Sequence, residues 1–449
     1  MSFTHRLLPI IALFAQALSL LSTVFVFEKA HANAWPTGLP DEHILSVMPP
    51  LKFAVDERMK RNVDFWISIY TQYTTRQGLI HDAKFIDHVY EVLELDDSSL
   101  STSRTARKAR NRWKQVLLDL HKKCAKLPPG VAPENMNADE AKVFEMYRDI
   151  NEPDKFLQAA HRKRIRFQLG QKDRYLEGLI QSGRYLPAME EIFKKEGLPV
   201  ELTRLPFVES SFNVRARSKV GASGIWQFMR STGRLFLRIN ADIDERNDPI
   251  RATEAASQLL KLNYASLGTW PLAVTAYNHG RKGMMKAVRR VGSEELEDLV
   301  SEYRGHSFGF ASTNFFTELL AAIEVEKNAD QYFGKVERAK PVPYFEALLP
   351  DGISIRKLAT YLKVDVVAIR DLNPGLSESC LEGSRKIPAG YQLRLPFDGQ
   401  LTREAAARIF LAGFQQIPDL YKVKGHAALK YVKSRRPSED VDEKTDAGE

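Results

Sequence analysis

From residue 176 to about residue 335, apolar side chains recur at the i, i+3 and i+4 spacing of α-helices, and strand signals are scarce. A stretch of this length and period folds as helices packed through their apolar faces, so the chain is expected to be mainly α. The punctuation supports this. Asp248-Pro249 opens a helix with a side-chain cap and a proline in the first turn. Ala255, Leu259 and Leu262 form its expected inner face. Leu272 to His279 reads as an apolar helix stopped by Gly280.

The flanking regions differ. Residues 35–175 read as a charged, N-terminal helical region, with Val63, Phe65, Ile67 and Tyr70 at near-helical spacing and a loop at Leu127-Pro128-Pro129-Gly130. Basic residues crowd Arg104 to Lys126 and again His161 to Arg166. Each run is either a solvated helix face or a surface that holds an anionic polymer. Pro341-Val342-Pro343 reads as a linker to a short unit over 344–397. Residues 398–449 hold one expected helix, Thr402 to Phe414, and a charged tail from Ser434 whose composition is that of a disordered segment.

At the start, His5 and Arg6 precede an uncharged run from Leu7 to Phe27, and Ala30-His31-Ala32 has the form of a cleavage site. Residues 1–32 are therefore a secretory signal peptide or, since the run is long enough to span a bilayer, a membrane anchor. Either way the chain is expected to be exported, to the periplasm or cell envelope. Export argues against nucleic acid as the partner of its +8 net charge, which suits a wall polymer bearing carboxylates or an anionic membrane. Cys124 and Cys380 fall in different regions and read as unpaired thiols, and no cluster of metal-ligand spacing occurs.

The chemistry-bearing segment is Gly197 to Asn213. Read as a helix, it puts Leu202, Leu205, Pro206, Glu209 and Phe212 on one face, with Glu201 and Arg204 nearer the polar side. Glu209 is then a carboxyl on an apolar stripe, where desolvation favours the neutral acid needed to protonate a glycosidic oxygen. The alternative is a solvent-facing glutamate paired with Arg204 or Arg215.

Ser218 to Met229 begins as a Gly-rich turn, with Ser223 placed to cap a following helix. Gly221 and Gly224 permit close approach of a ligand or of a second backbone. Trp226, Phe228 and Met229 supply either apolar binding surface or core, and Gln227 a donor and an acceptor. Tyr277 and Asn278 end an apolar helix where they can face a cleft. His279 beside them reads as a cap or surface residue.

Three ordered motifs now carry a resemblance: Pro206-Phe207-Val208-Glu209-Ser210-Ser211-Phe212-Asn213; Gly221-Ala222-Ser223-Gly224-Ile225-Trp226-Gln227-Phe228-Met229; and Ala276-Tyr277-Asn278-His279-Gly280. Together they resemble the soluble-lytic-transglycosylase catalytic domain over residues 176–335. The Trp-Gln-Phe form and Asp244-Glu245-Arg246-Asn247-Asp248-Pro249 are similar to the membrane-bound lytic murein transglycosylase D type. The resemblance implies a goose-lysozyme-like helical fold. It also implies cleavage of the β-1,4 bond between N-acetylmuramic acid and N-acetylglucosamine in peptidoglycan glycan strands. By this likeness Glu209 is the acid/base, and Ser218, Gln227, Met229, Tyr277 and Asn278 line the sugar cleft. Tyr277 is expected across the cleft, its hydroxyl on the Glu209 carboxyl. One departure is His279-Gly280-Arg281, where the family usually has a small residue, Gly and an acid.

Residues 344–397 resemble a divergent LysM glycan-binding module with βααβ order. Its opening, Pro350-Asp351-Gly352-Ile353-Ser354, is atypical. It either binds sugar or serves as a spacer.

A hydrolytic glycosidase ordinarily needs two carboxylates, and no second one is evident beside Glu209. A transglycosylase works with one. Glu209 protonates the leaving oxygen and then takes the proton of the muramic C6 hydroxyl, closing a 1,6-anhydro ring, with no cofactor or metal required. Two alternatives stand beside this reading. One is a hydrolytic muramidase drawing a second acid from Asp242, Asp244, Glu245 or Asp248; the other is a non-catalytic cell-wall-binding protein.

Overall fold

The structure, a computed structural model, describes residues 57–96, 99–349, 351–362, 364–396 and 432–435. The leader at 1–32 and the helix expected at 402–414 lie outside them. Among the described residues no helix is long and apolar enough to cross a membrane.

The N-terminal region begins with α1 (Glu57–Thr71), then β1 (Gln77–Asp82) and β2 (Val89–Glu94). It continues through α2 (Ser99–Cys124), α3 (Ala138–Met146), α4 (Lys155–Ala159) and β3 (Ile165–Leu169). It is therefore not all helical, as the sequence suggested. An antiparallel sheet in the order β2-β1-β3 runs through it. The central strand β1 is buried at every position after Gln77, so it shows none of the alternation by which a half-exposed strand is recognised. The basic run at 161–166 is split between a turn and the start of β3. The first basic run does lie on an exposed face of α2, whose other side buries Trp113, Leu117 and Leu120.

This region is fixed to the helices that come after it in the chain. Asn62 and Trp66 on α1 donate to the Asn314 side-chain oxygen at 3.0 and 3.4 Å. Tyr70 stacks on Tyr175 at 4.9 Å, and Tyr175 on Phe207 at 4.8 Å.

The central region is helical as expected: α5 (Lys172–Ser182), α6 (Leu186–Lys195), a 3-10 turn (Val200–Arg204) and α7 (Leu205–Ser210). Next come α8 (Arg230–Gly233), a second 3-10 turn (Glu245–Asn247), α9 (Pro249–Leu267) and α10 (Trp270–His279). The last four are α11 (Arg281–Val291), α12 (Leu296–Glu302), α13 (Phe310–Lys327) and α14 (Ala329–Phe333). Asp248 caps α9 by accepting from the backbone N–H groups of Ile250 and Arg251, with Pro249 in the first turn. Gly280 ends α10 at φ +89°. The inner face of α9 is offset from the expected one. Ala252, Ala255, Ala256, Leu260 and Leu267 are buried, whereas Leu259 and Leu262 are half-buried. Helices α6, α10 and α11 all pack on α9, and small alanines let them come close.

The C-terminal unit runs β4 (Tyr344–Leu348), α15 (Ile355–Leu362), α16 (Val366–Leu372), α17 (Glu378–Leu381) and β5 (Gln392–Pro396). This is the expected βααβ order with one extra helical turn. A further strand, β6 (Val432–Arg435), pairs with the other edge of β4, so the expected disordered tail starts with two residues in a sheet.

The unit is not tethered loosely. Ile243, from the helical domain, is fully buried in the unit's own core with Leu349, Ile353, Leu358, Ile369 and Leu376. Asp244 N donates to Gly375 O at 2.7 Å and Ser377 N to Asp242 O at 2.8 Å. Arg394 donates at 2.6 Å to Asp248, the cap of α9, in an ion pair in which each side chain is 5% exposed.

Candidate active site

The segment expected as one helix divides into the 3-10 turn and α7, and the expected stripe is real. Leu202, Leu205, Pro206 and Phe212 are buried, and Glu209 sits half-buried among them. Arg204 is not a partner for Glu209, being held between Glu190 and Glu326. Burial raises the Glu209 carboxyl from its ordinary 4.5 to about 8, and the charge of Glu318 adds to the shift. A carboxyl raised this far keeps its proton at neutral pH, the state a general acid requires.

After Glu209 the chain doubles back through two consecutive left-handed residues, Ser211 (φ +50°) and Phe212 (φ +55°). Neither is glycine, and such conformations cost on the order of 1–2 kcal/mol each. Phe212, buried edge-on against Phe207 at 4.6 Å, holds the hook in place. Gln227 (φ +47°) is a third such residue, so among the described residues three of the four non-glycine positive-φ positions fall in the two motifs of the site.

The Gly-rich segment is a loop rather than a helix start. Ser223 does not cap. It bridges to Arg217 and Phe228, and its hydroxyl donates to Asn247 Oδ1 at 2.6 Å. Gly224 has φ +78°, and a Cβ there would lie 1.8 Å from Arg246 O, so a second backbone is what approaches this glycine. Trp226 and Phe228 are core. Trp226 stacks on Phe193 at 5.9 Å and donates to Thr253 Oγ1 at 2.9 Å. Met229 alone of the three is exposed, at 41%.

The residue that holds this loop went unnoticed in the sequence. Arg246 is buried, donates to both carboxylate oxygens of Asp244, and donates to Gly221 O at 2.8 Å and Phe228 O at 3.0 Å. The only available signal was its place in the 244–249 motif.

Three elements meet at Glu209. Ser210 Oγ donates to Ile225 O at 2.9 Å, tying α7 to the loop. Tyr277 Oη donates to Trp226 O at 2.8 Å, tying α10 to the same loop. The Glu209 charge raises the Tyr277 phenol, whose shift comes mainly from burial, so the two groups are neighbours. The expected hydrogen bond from Tyr277 to Glu209 is not the one made, because the phenol has one proton and the Trp226 carbonyl takes it.

The other expected residues lie around this junction. Gln227 Nε2 donates to Ala216 O and Gly224 O, which leaves its Oε1 unpaired among the described residues. Ser218 Oγ accepts from Ala222 N and closes the turn. Asn278, exposed on the rim, accepts from Ser312 Oγ at 3.0 Å. The departure at His279 has a packing reason. A Cβ on Gly283 would lie 2.7 Å from the His279 ring, and His279 Nδ1 lies 3.3 Å from Ser312 Oγ.

The acids between 242 and 248 are engaged elsewhere. Asp242 pairs with Arg385, Asp244 with Arg246, and Asp248 with Arg394. Glu245 accepts from Arg238 N at 2.7 Å. The second carboxyl near Glu209 is instead Glu318 on α13, which burial also raises to about 8. Its sequence distance hid it.

A separate groove of about 670 Å³ lies in the N-terminal region, lined by Lys114, His161, Arg162 and Arg164 over Leu118 and Leu157.

A helical domain that sets a neutral carboxylic acid at the junction of three motifs belongs to a definable class, and residues 188–300 match the family described as the Transglycosylase SLT domain. Over 189 residues the chain is 32% identical to membrane-bound lytic murein transglycosylase D of Escherichia coli (strain K12), covering 37% of this chain and 40% of that protein. The protein of the same name from Escherichia coli O6:H1 (strain CFT073) matches to the same extent. The chain thus spans about two fifths of the length of these relatives.

Proposed function

We propose that the protein is a peptidoglycan lytic transglycosylase, cutting the β-1,4 bond between N-acetylmuramic acid and N-acetylglucosamine and leaving a 1,6-anhydromuramic end. The observation that carries this is Glu209, a carboxyl held neutral by burial inside an SLT domain. Glu209 donates its proton to the glycosidic oxygen. As a carboxylate it then accepts the C6 hydroxyl proton as that oxygen closes on C1. The substrate's N-acetyl group supports the charge that develops between the two steps. Ser218, Gln227, Met229, Tyr277 and Asn278 are assigned to the sugar cleft. Of these, Gln227 Oε1, Met229 and the Asn278 amide are the groups best placed to meet a ligand.

Hydrolysis with a second acid from 242–248 is disfavoured, since those four carboxylates already bind arginines or backbone. We place the protein in the cell envelope on the strength of its leader-like N-terminus, which also leaves membrane association open to it. The 344–397 unit is assigned a LysM-like, glycan-binding role on its βααβ order. The basic groove is assigned to carboxylates of the peptide stems.

Digestion of purified sacculi with wild type and Glu209→Gln, with products read by mass, tests the proposal. Anhydro products, lighter by one water than hydrolytic ones, are expected from wild type alone. Reducing-end products, or cleavage by the variant, would overturn it.

A further inference from the structure

Arg166 lies on β3, directly opposite His81 of β1, and on the sheet face that meets α1 and α13 through Phe65 and Phe310. Its guanidinium carbon sits 4.0 Å from the centre of the ring of Phe310, the first residue of α13. Phe310 is held in turn by His81 at 5.7 Å and by Trp66 at 6.3 Å. The planar head of Arg166 therefore rests on an aromatic floor, which fixes a cation without neutralising it.

No acid answers this charge. Arg166 is half-buried, and among the described residues it makes no hydrogen bond or ion pair; its Nε is buried without a partner. Elsewhere the protein pairs such arginines: Arg164 with Asp82, Arg204 with Glu190 and Glu326, Arg246 with Asp244, and Arg394 with Asp248. His81 is not a second cation, because burial lowers its ring to about 4 and its Nδ1 donates to Asp82 O at 2.9 Å. The His81 Nε2 is fully buried and likewise unpartnered. A guanidinium drawn out of water with an unused donor is costly unless a ligand supplies the counter-charge.

The surroundings favour an anion and place it by the cleft. Helix α13 is 18 residues long, and no side chain caps it at Gly309. Its first-turn N–H groups and the positive end of its dipole add to the potential beside Arg166. Ser312, in the same turn as Phe310, donates through Oγ to Asn278 Oδ1 at 3.0 Å, and Asn278 is exposed on the rim. This corner is separate from the basic groove, whose lining includes Arg162 and Arg164 but not Arg166.

We propose that Arg166 is a specificity-determining residue, which binds a carboxylate of the peptide stem on a glycan strand in the cleft and so favours stem-bearing glycan over bare glycan. A carboxylate has the planar, two-oxygen shape that the guanidinium fork accepts. Sugar hydroxyls offer no counter-charge. The N-terminal region thereby contributes to recognition from outside residues 188–300. The carrier of the carboxylate rests on the transglycosylase reading, but the anion site itself does not.

Two measurements test this. In the first, kcat/KM is taken for stem-bearing and for peptide-free glycan strands. Arg166→Met keeps an aliphatic chain over Phe310 and removes the charge, and the ratio of the two values should fall roughly ten-fold, mainly through KM. Arg166→Lys keeps the charge and loses the fork, so its ratio should fall less. If Arg166 only bolts β3 to α13, both substrates suffer alike; an unchanged ratio in Arg166→Met would overturn the proposal.

The second measurement needs no cleavage. A soluble stem peptide is titrated calorimetrically into protein carrying Lys114→Glu and Arg162→Glu, so that the groove takes no part. The free-acid peptide should bind, and more weakly as salt is raised. The same peptide with its carboxylates amidated should bind roughly ten-fold more weakly. Adding Arg166→Met should bring the two peptides level. Equal affinity for both with Arg166 intact, or no binding of either, would refute the site whether or not the methionine variant folds. If wild type cleaves nothing, the transglycosylase reading fails while this titration still decides the inference.

Discussion

The Tyr277 hydroxyl donates to the carbonyl oxygen of Trp226 at 2.8 Å, so the ring that borders Glu209 is anchored by the loop and leaves the carboxyl free. In the proposed mechanism the proton on Glu209 is thereby kept uncommitted for a glycosidic oxygen.

Tyr277→Phe should therefore act on the loop more than on the acid. The Trp226 carbonyl loses its donor, at a cost of about 1–3 kcal/mol in folding stability. Cleavage should fall only several-fold. A thermal melt and a turnover assay read the two effects. A loss of a thousand-fold or more would mean that the phenol contacts the reacting atoms.

Glu209→Gln keeps the shape and removes the transferable proton. Cleavage should vanish, while the thermal midpoint at pH 8 should match or exceed that of wild type, because the variant escapes the cost of charging a buried carboxyl as pH rises from about 4.5 to about 8. A variant that melts well below wild type at that pH would show that Glu209 supports the fold.

Arg246→Met should strip Asp244 of its partner, leave the Gly221 carbonyl without its donor and leave the Phe228 carbonyl with Ser223 N alone. Breaking a buried ion pair from one side costs about 3–5 kcal/mol. Both the thermal midpoint and cleavage should drop. Cleavage unchanged would detach the 221–228 loop from the site.

How far the site could be read in advance depended on how local each signal was. Leu202, Leu205, Pro206, Glu209 and Phe212 share one face because the helical repeat is a short-range rule, and it survived the change from 3-10 to α between Arg204 and Leu205. The Asp248 cap and the Gly280 stop were legible for the same reason. Three things were not. β1 is buried on both faces and carries no alternation. Arg246 shows its role only when Gly221 and Phe228 fold over it. Glu318 lies more than a hundred positions from Glu209, and only helix packing brings them together.

Arg394→Met should destabilise the helical domain as well as the C-terminal unit, since it leaves Asp248 buried without its cation and Glu346 with only Arg251, at 4.0 Å. The expected loss is about 3–5 kcal/mol. Calorimetry of wild type should give one transition covering both parts. Two separated transitions would mean that the parts unfold independently.

Reversing charge in the groove, with Lys114→Glu and Arg162→Glu, should weaken pelleting with sacculi by roughly two- to five-fold per change. The difference should shrink as salt is raised, and turnover of peptide-free glycan should be unaffected. Equal pelleting would reduce the groove to a solvated face.

Ile243, buried in the core of the C-terminal unit, fixes that unit against the helical domain. A hinged binding module lets an enzyme graze over a radius set by its linker, cutting wherever the catalytic domain happens to land. In the glycan-binding role proposed for the unit, the angle and offset between a strand it holds and the acid at Glu209 are set by the fold. The cut would fall at a set number of sugars from the grip, so fragment lengths would cluster around a preferred value, as if taken off with calipers.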